Sequence, residues 1–141
     1  MRAVNARVAE PFSIAVRVYY QDTDAGGVVF HAQYLAFMER ARTELLNAGG
    51  LDLARFADEH GVLFMVHRLA MRFHRPARLN DMLSVSAEVA RIGAASLAFR
   101  QRVQRGGELL VEADVTLALV DRARGRPARM PEELKQLLGN A

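Results

Sequence analysis

The chain has 141 residues, a mass of 15.7 kDa and a net charge of +3 at pH 7, which is the size of one domain. It contains no cysteine, so disulfides, cysteine-ligated zinc, iron–sulfur clusters and thiol nucleophiles are excluded. No apolar run approaches the ~20 residues of a membrane span. The sequence predicts a cytoplasmic protein with a flexible segment over residues 1–12 and a single domain over residues 13–141.

The calculated pI of 9.9 results from the high content of arginine, since Lys135 is the only lysine. Either a coding bias towards arginine or recognition of phosphate groups explains this composition. A net charge of only +3 and the lack of a nucleic-acid-binding motif argue against nucleic acid as the partner.

The first half of the chain predicts a strand followed by helices. Residues 13–20 alternate between apolar and polar side chains, which is typical of a strand. A polar segment with two glycines follows at 21–27. Apolar residues then recur with helical spacing over 31–48, and a second, short helix is predicted at about 51–59.

The second half predicts a meander of four strands, because apolar residues recur at every second position. These runs cover residues 69–74, 83–89, 96–104 and 109–119, and a short helix begins at Pro131. The order of elements favours an α+β fold in which a curved five-stranded antiparallel sheet wraps one long helix.

The sheet face turned away from the helix carries Ala118 and Val120, and no second layer of helices is available to cover it. Burial of that face in an oligomer is therefore expected. His67 and His74 are seven positions apart in a predicted strand, which places them on opposite faces and indicates structural roles.

Polar residues are concentrated between the first strand and the long helix, in the sequence YQDTDAGGVVFH from Tyr20 to His31. A helix N-terminus presents unpaired N–H groups and a positive dipole end. Since residues 28–32 offer no good side-chain cap, those amides are available to an anion or to an oxyanion formed in a reaction. Gly26 and Gly27 allow a ligand to approach the backbone closely.

Asp24 precedes His31 by seven residues, and a carboxylate there can attack a polarised electrophile or activate water. A purely structural alternative has Asp24 capping the helix, Asp22 in solvent and His31 as a partial cap. A metal site made of Asp22, Asp24 and His31 is a further alternative, although this ligand set is weak.

The segment VRVYYQDTDAGGVVFHAQYLAFMERARTELL, residues 16–46, resembles the hotdog-fold acyl-CoA thioesterases of the 4-hydroxybenzoyl-CoA thioesterase type. It is most similar to their bacterial branch associated with the Tol-Pal system. The likeness continues through RPARLNDML, residues 75–83, to about Pro131. It implies hydrolysis of acyl-CoA to free acid and CoA without a cofactor or metal ion.

The resemblance also implies roles for individual residues. Asp24 matches the catalytic carboxylate, which acts as nucleophile or general base on the thioester carbonyl. The main-chain N–H around His31 matches the donor that polarises this carbonyl, and the side chains of Tyr20 and His31 match supporting catalytic positions. Glu39 of the long helix is a further candidate for lining the site.

Family members pair side by side as homodimers with shared active sites and often stack as homotetramers.

A different class of function is a non-catalytic partner of acyl carrier protein or of lipid enzymes, which uses the same groove for recognition. Asp24 discriminates between the two, because a binding protein does not need a carboxylate facing a thioester. A hotdog hydratase is the enzymatic rival, but its local pairing of Asp and His is not found.

Overall fold

The computed structural model describes residues 11–139 and confirms the α+β fold and the predicted order of elements. Its helices and strands, in chain order, are β1 (Phe12–Arg17), α1 (Gln33–Ala48), α2 (Leu53–His60), β2 (Val62–Phe73), β3 (Met82–Ile92), β4 (Ser96–Arg105), β5 (Glu108–Asp121) and α3 (Glu132–Gly139). Most of the predicted flexible segment, residues 1–12, lies outside the described residues. In the part described, no helix is long and apolar enough to cross a bilayer.

The five strands form one open antiparallel sheet in the order β1-β3-β4-β5-β2. Within the described residues, β1 and β2 are the two edges. β5 is the longest strand, with 14 residues, and it pairs with β4 on one side and β2 on the other. The buried face of this sheet packs against α1.

α1 turns one broad apolar face to the sheet, as the spacing predicts. Its buried side chains are Tyr34, Phe37, Met38, Ala41, Leu45 and Leu46. The strands that α1 contacts are mainly β3 and β1, so the helix lies towards the β1 side of the sheet. Leu35, expected among the wrapped residues, is instead 38% exposed and faces away from that contact. The inner face of β2 is consequently left open.

The prediction that Val120 lies on an uncovered apolar face is wrong. After Gly125 the chain turns back and pairs with the end of β5, forming a bridge between Val120 and Pro127. Ala128 N–H donates to Leu119 O at 2.8 Å, and Val120 is buried within the same chain. The exposed apolar surface lies elsewhere, along the edge strand β2.

The prediction that His67 and His74 lie on opposite faces assumed that side chains alternate without interruption along the strand. In the structure this alternation is interrupted. The register of β2 shifts between Val66 and Arg68, so His67 is the extra residue of a bulge. His74 follows the end of β2, and its Nε2 lies 2.8 Å from the Glu112 carboxylate. Both rings are exposed, and the hydrogen bond of His74 agrees with a structural role.

Candidate active site

The connection from β1 to α1 is organised by a buried carboxylate. The first strand ends at Arg17, earlier than predicted, and a 3₁₀ turn follows at Tyr20–Asp22. Asp22 Oδ2 accepts the N–H of Tyr19 at 2.8 Å, and Oδ1 accepts the Nε2 group of Gln33 at 3.0 Å. Asp22 therefore ties this turn to the first residue of α1, and the alternative that places its carboxylate in solvent is wrong.

Asp24 lies in the tight turn that follows, and its side chain is exposed. Its N–H donates to Val28 O at 2.9 Å, while its own carbonyl accepts the N–H of Gly27 at 3.0 Å. Its Oδ1 accepts the N–H of Gly26 at 2.8 Å. The turn thus leaves Oδ2 of Asp24 free of hydrogen bonds within residues 11–139.

The two glycines shape this turn rather than offering free amides, since both N–H groups already have acceptors. Gly27 has a φ of 79°, which favours glycine. A Cβ atom on Gly26 would lie 3.2 Å from Asp24 Oδ1. Gly26 therefore lets the Asp24 carboxylate fold back over the turn.

α1 begins without a side-chain cap, as the sequence predicts. Its N-cap residue is Ala32, whose side chain has no acceptor. α2 gives the contrast, because the Asp52 carboxylate there accepts the N–H groups of Ala54 and Arg55.

Three amides at the start of α1 have no acceptor within residues 11–139. The N–H of Phe30 donates to Asp22 O and that of Gln33 to Phe30 O, at 2.9 and 2.8 Å. The N–H groups of His31, Ala32 and Tyr34 form no such bond. They provide the site with unpaired donors at the positive end of the helix dipole.

A cavity of about 310 Å³ lies beside these amides. Its walls come from the start of α1 and the end of β2, and include His31, Tyr34 and Phe73. The ring of Phe73 lies 5.9 Å from that of Tyr34 and is 53% exposed. Asp24 and Tyr20 do not line the cavity, and Tyr20 is 82% exposed. One chain thus brings together His31 and the amides, with Asp24 on the preceding turn.

Tyr34 belongs to the site, although the sequence predicted it only as an apolar-face residue of the long helix. Its hydroxyl accepts the N–H of Ala77 at 3.0 Å, and Ala77 O in turn accepts the N–H of Val29 at 2.9 Å. Burial raises the pKa of the Tyr34 hydroxyl, so the group stays protonated at neutral pH. These contacts hold the connection between β2 and β3 against the start of α1. A buried tyrosine hydroxyl needs a polar partner, and this requirement was the only feature of the sequence that indicated such a role for Tyr34.

The connection between β2 and β3 is fixed from its other side by Arg105. The guanidinium donates to Asp81 Oδ2 at 2.7 Å, to Glu108 Oε1 at 2.8 Å and to Pro76 O at 3.3 Å. Burial raises the pKa of Asp81, but hydrogen bonds from Arg78 N–H and Arg105 outweigh it and hold the pKa below its usual value. The segment that contributes Pro76 to the cavity is therefore anchored.

Asp22, Asp24 and His31 do not form a metal site. Asp22 uses both carboxylate oxygens within the protein. Over residues 11–139, no group of three or more His, Asp and Glu side chains is arranged to hold a metal ion.

Comparison with known proteins gives one consistent family. Residues 18–138 match the family described as the thioesterase-like superfamily. The acyl-CoA thioesterase YbgC of Haemophilus influenzae is 44% identical over 124 residues, which cover 88% of this chain and 91% of that protein. The acyl-CoA thioester hydrolase YbgC of Escherichia coli O6:H1 is 42% identical over 124 residues, with coverages of 87% and 92%.

Solved structures agree with this assignment. The crystal structure of a probable thioesterase from Bartonella henselae superposes with a TM-score of 0.82 at 34% identity. The match covers 86% of this chain and all of that one.

The structural role of Asp22 can be tested by its truncation. Asp22→Ala leaves the Tyr19 N–H and the Gln33 amide without their acceptor, and hydrogen bonds to charged groups contribute about 1.5–3 kcal/mol. We expect the free energy of unfolding, measured with urea, to fall by that amount. A change below about 0.5 kcal/mol, the range of an ordinary surface substitution, would show that Asp22 does not hold the loop.

Proposed function

The chain belongs to the thioesterase-like superfamily, and we propose that it is an acyl-CoA thioesterase of the hotdog fold that converts acyl-CoA and water into free acid and CoA. The observation that carries the mechanism is the pair formed by an exposed carboxylate, Asp24, and an uncapped helix start seven residues later. The remaining features of the site support these two.

The free amides at the start of α1 are suited to polarising the thioester carbonyl. As water or a carboxylate adds to the carbonyl carbon, negative charge collects on its oxygen. The N–H groups of His31, Ala32 and Tyr34 are donors that need not abandon another acceptor to meet this charge. The cavity of about 310 Å³ beside them is proposed to admit the acyl group to the helix end.

Asp24 supplies the carboxylate by one of two routes. As a general base, it takes a proton from the attacking water, the new C–O bond forms, and the C–S bond breaks to release the CoA thiolate. As a nucleophile, it first forms an anhydride with the acyl group, which water then hydrolyses. A thiolate leaves readily in either case, so one carboxylate and the helix amides suffice without a cofactor.

Tyr20 and His31 are proposed to support this step, and Gly26 and Gly27 to shape the binding surface. His31 lines the cavity and packs against Phe30, with ring centroids 4.6 Å apart. The turn made by the two glycines holds the Asp24 carboxylate. Tyr20 is 82% exposed and does not line the cavity of its own chain, so we propose that it acts at a site completed by a second subunit.

A homodimer through β2 is proposed to complete the site. This edge strand is twelve residues long, has no strand partner on one side within the described residues, and bears large exposed apolar side chains on its faces. Val66 is 58% exposed and Phe73 is 53% exposed, although both are strand residues. A long apolar edge strand is prone to pair with another chain. Antiparallel pairing with the same strand of a second copy gives a closed twofold contact.

The carrier, the location and the assembly are proposed as follows. Coenzyme A is proposed as the carrier rather than acyl carrier protein, following the names of the relatives. A cytoplasmic location is supported by that substrate, and association with the Tol-Pal system by the resemblance of the motif. A homotetramer, made of two such dimers, is the second assembly consistent with the proposal.

The catalytic role of Asp24 is tested by Asp24→Asn. The amide cannot act as base or nucleophile, so kcat should fall by at least ~10²-fold while the fold is kept. Hydrolysis is followed by the release of free thiol from acyl-CoA. Asp22→Asn is the matched control with a much milder effect, since the substituted amide can still accept from Tyr19 and donate to a rotated Gln33 amide. Near-normal turnover by folded Asp24→Asn would contradict the mechanism.

The helix amides are tested by comparing two substitutions of His31. His31→Ala removes only the side chain, so turnover should fall less than in Asp24→Asn. His31→Pro also removes the N–H, and proline is tolerated near the first turn of a helix. Loss of one oxyanion donor typically costs ~10²–10³-fold in rate, so the proline variant should be far slower at equal helicity. Equal activity of the two variants would exclude this amide as a donor.

The dimer is tested by placing a charge on the edge strand. Met65→Lys should shift the protein from dimer or tetramer towards monomer at micromolar concentration, as measured by size exclusion with light scattering. Turnover per subunit should fall with it, because each site loses the surface supplied by its partner. Ala15→Lys, on the opposite edge strand β1, is the matched control that keeps the β2 contact. A fully active wild-type monomer would refute the shared site.

A further inference from the structure

Two cavities lie end to end along α1, on the side of the helix that faces β2. The first, here the proximal section, has a volume of about 340 Å³ and begins at Leu35 in the first turn, opposite Leu69. The second, here the distal chamber, has a volume of about 130 Å³ and is walled by Leu46, Leu53 and Phe64. Together they form one groove that begins at Leu35, the residue after Tyr34 of the candidate active site.

The two parts of the groove meet at a polar constriction. Glu39, Arg42 and Val66 line both the proximal section and the distal chamber. On either side of them the walls are mainly apolar. Helix geometry puts Glu39 about 12 Å along α1 from His31, with its side chain tilted back towards the N-terminus.

Arg42 is held in this constriction by a buried amide. Its guanidinium donates to Gln101 Oε1 at 2.9 Å. Gln101 is fully buried, and its Nε2 group donates to Met38 O at 3.0 Å and to Ser86 O at 3.1 Å. These two bonds fix the orientation of the Gln101 side-chain amide. Its Oε1 atom is therefore left to accept the hydrogen bond from Arg42. The guanidinium is thereby fixed in the groove instead of extending into solvent.

The charge on Arg42 is incompletely compensated within the chain. Burial lowers the pKa of its guanidinium, and the nearby Glu39 carboxylate opposes that shift. Gln101 is its one side-chain hydrogen-bond partner among residues 11–139. A guanidinium has five N–H donors, so water must satisfy the others. An alkyl chain that crossed the constriction would displace this water and offer no acceptor in return.

We infer that Glu39 and Arg42 set the upper length of the acyl chain, because they bar alkyl chains from the distal chamber. This inference rests on the proposed function. Acyl chains that end in the proximal section bury their methylene groups against Leu35, Leu69 and Val115. Longer chains must either desolvate the charged pair or leave the groove. The chamber behind it is near the ~150 Å³ of an apolar cavity that holds benzene, so removing the charges gives longer chains usable space.

The test measures kcat/KM for butanoyl-, octanoyl- and dodecanoyl-CoA in wild type and in Arg42→Met. The ratio of dodecanoyl- to butanoyl-CoA should rise by ~10-fold or more in the variant, since single methylene groups in apolar pockets already change rates by ~10-fold. Arg40→Met is the matched control: Arg40 lies on the same helix with its guanidinium 5.8 Å from the Phe37 ring centroid, outside the groove. Its ratio should equal that of wild type.

Arg42→Met leaves Gln101 Oε1 buried without a donor, and it leaves the Glu39 charge in the constriction. A second variant therefore combines Arg42→Met and Glu39→Gln with Gln101→Leu, which removes both charges and both hydrogen-bond partners. A raised ratio in either folded variant supports the inference. A wild-type ratio in the folded triple variant overturns it while leaving the proposed function intact. Absence of hydrolysis of every acyl-CoA by wild type refutes the proposed function and this inference with it.

Discussion

The start of α1 is the constraint on which the site depends: a helix whose first amides have neither a side-chain cap nor other acceptors in the described chain. Such an end is unfavourable unless water or a ligand satisfies it. α2 shows that the same chain can cap a helix well, with Asp52. The open end of α1 is therefore not a general property of the helices in this chain, and we propose a thioester oxygen that gains negative charge as its partner.

The surroundings of α1 keep that end open and aimed at the cavity. The carboxylate that could have capped the helix, Asp22, instead binds the side chain of Gln33 and the backbone of Tyr19. Asp24 is held one turn earlier, and Tyr34 joins the helix to the segment after β2. Because α1 lies over β1 and β3, the inner face of β2 stays open beside the groove, and β2 is the edge strand at which we propose that a second subunit pairs.

The sequence predicted the parts that depend on local patterns. The alternation of apolar and polar residues predicted the strands, and the helical spacing of apolar residues predicted α1. The lack of good capping residues at 28–32 predicted the open N-terminus of this helix. Contacts between distant residues could not be found this way. The partner of Tyr34 is Ala77, and that of Arg42 is Gln101, each separated by more than forty positions. The pairing of Val120 with Pro127 likewise depends on how strands meet, so the prediction that Val120 lies uncovered was wrong. The bulge at His67 also depends on strand pairing, and it interrupts the alternation that was assumed for this strand.

We propose that the free amides of α1 bind the carbonyl oxygen of the acyl group. Nuclear magnetic resonance of the ¹⁵N-labelled protein tests this contact during titration with an acyl-CoA analogue in which a methylene group replaces the thioester sulfur and the carbonyl is kept. We expect the amide protons of His31, Ala32 and Tyr34 to show the largest downfield shifts. Saturable binding of the analogue that leaves these three resonances unchanged would contradict it.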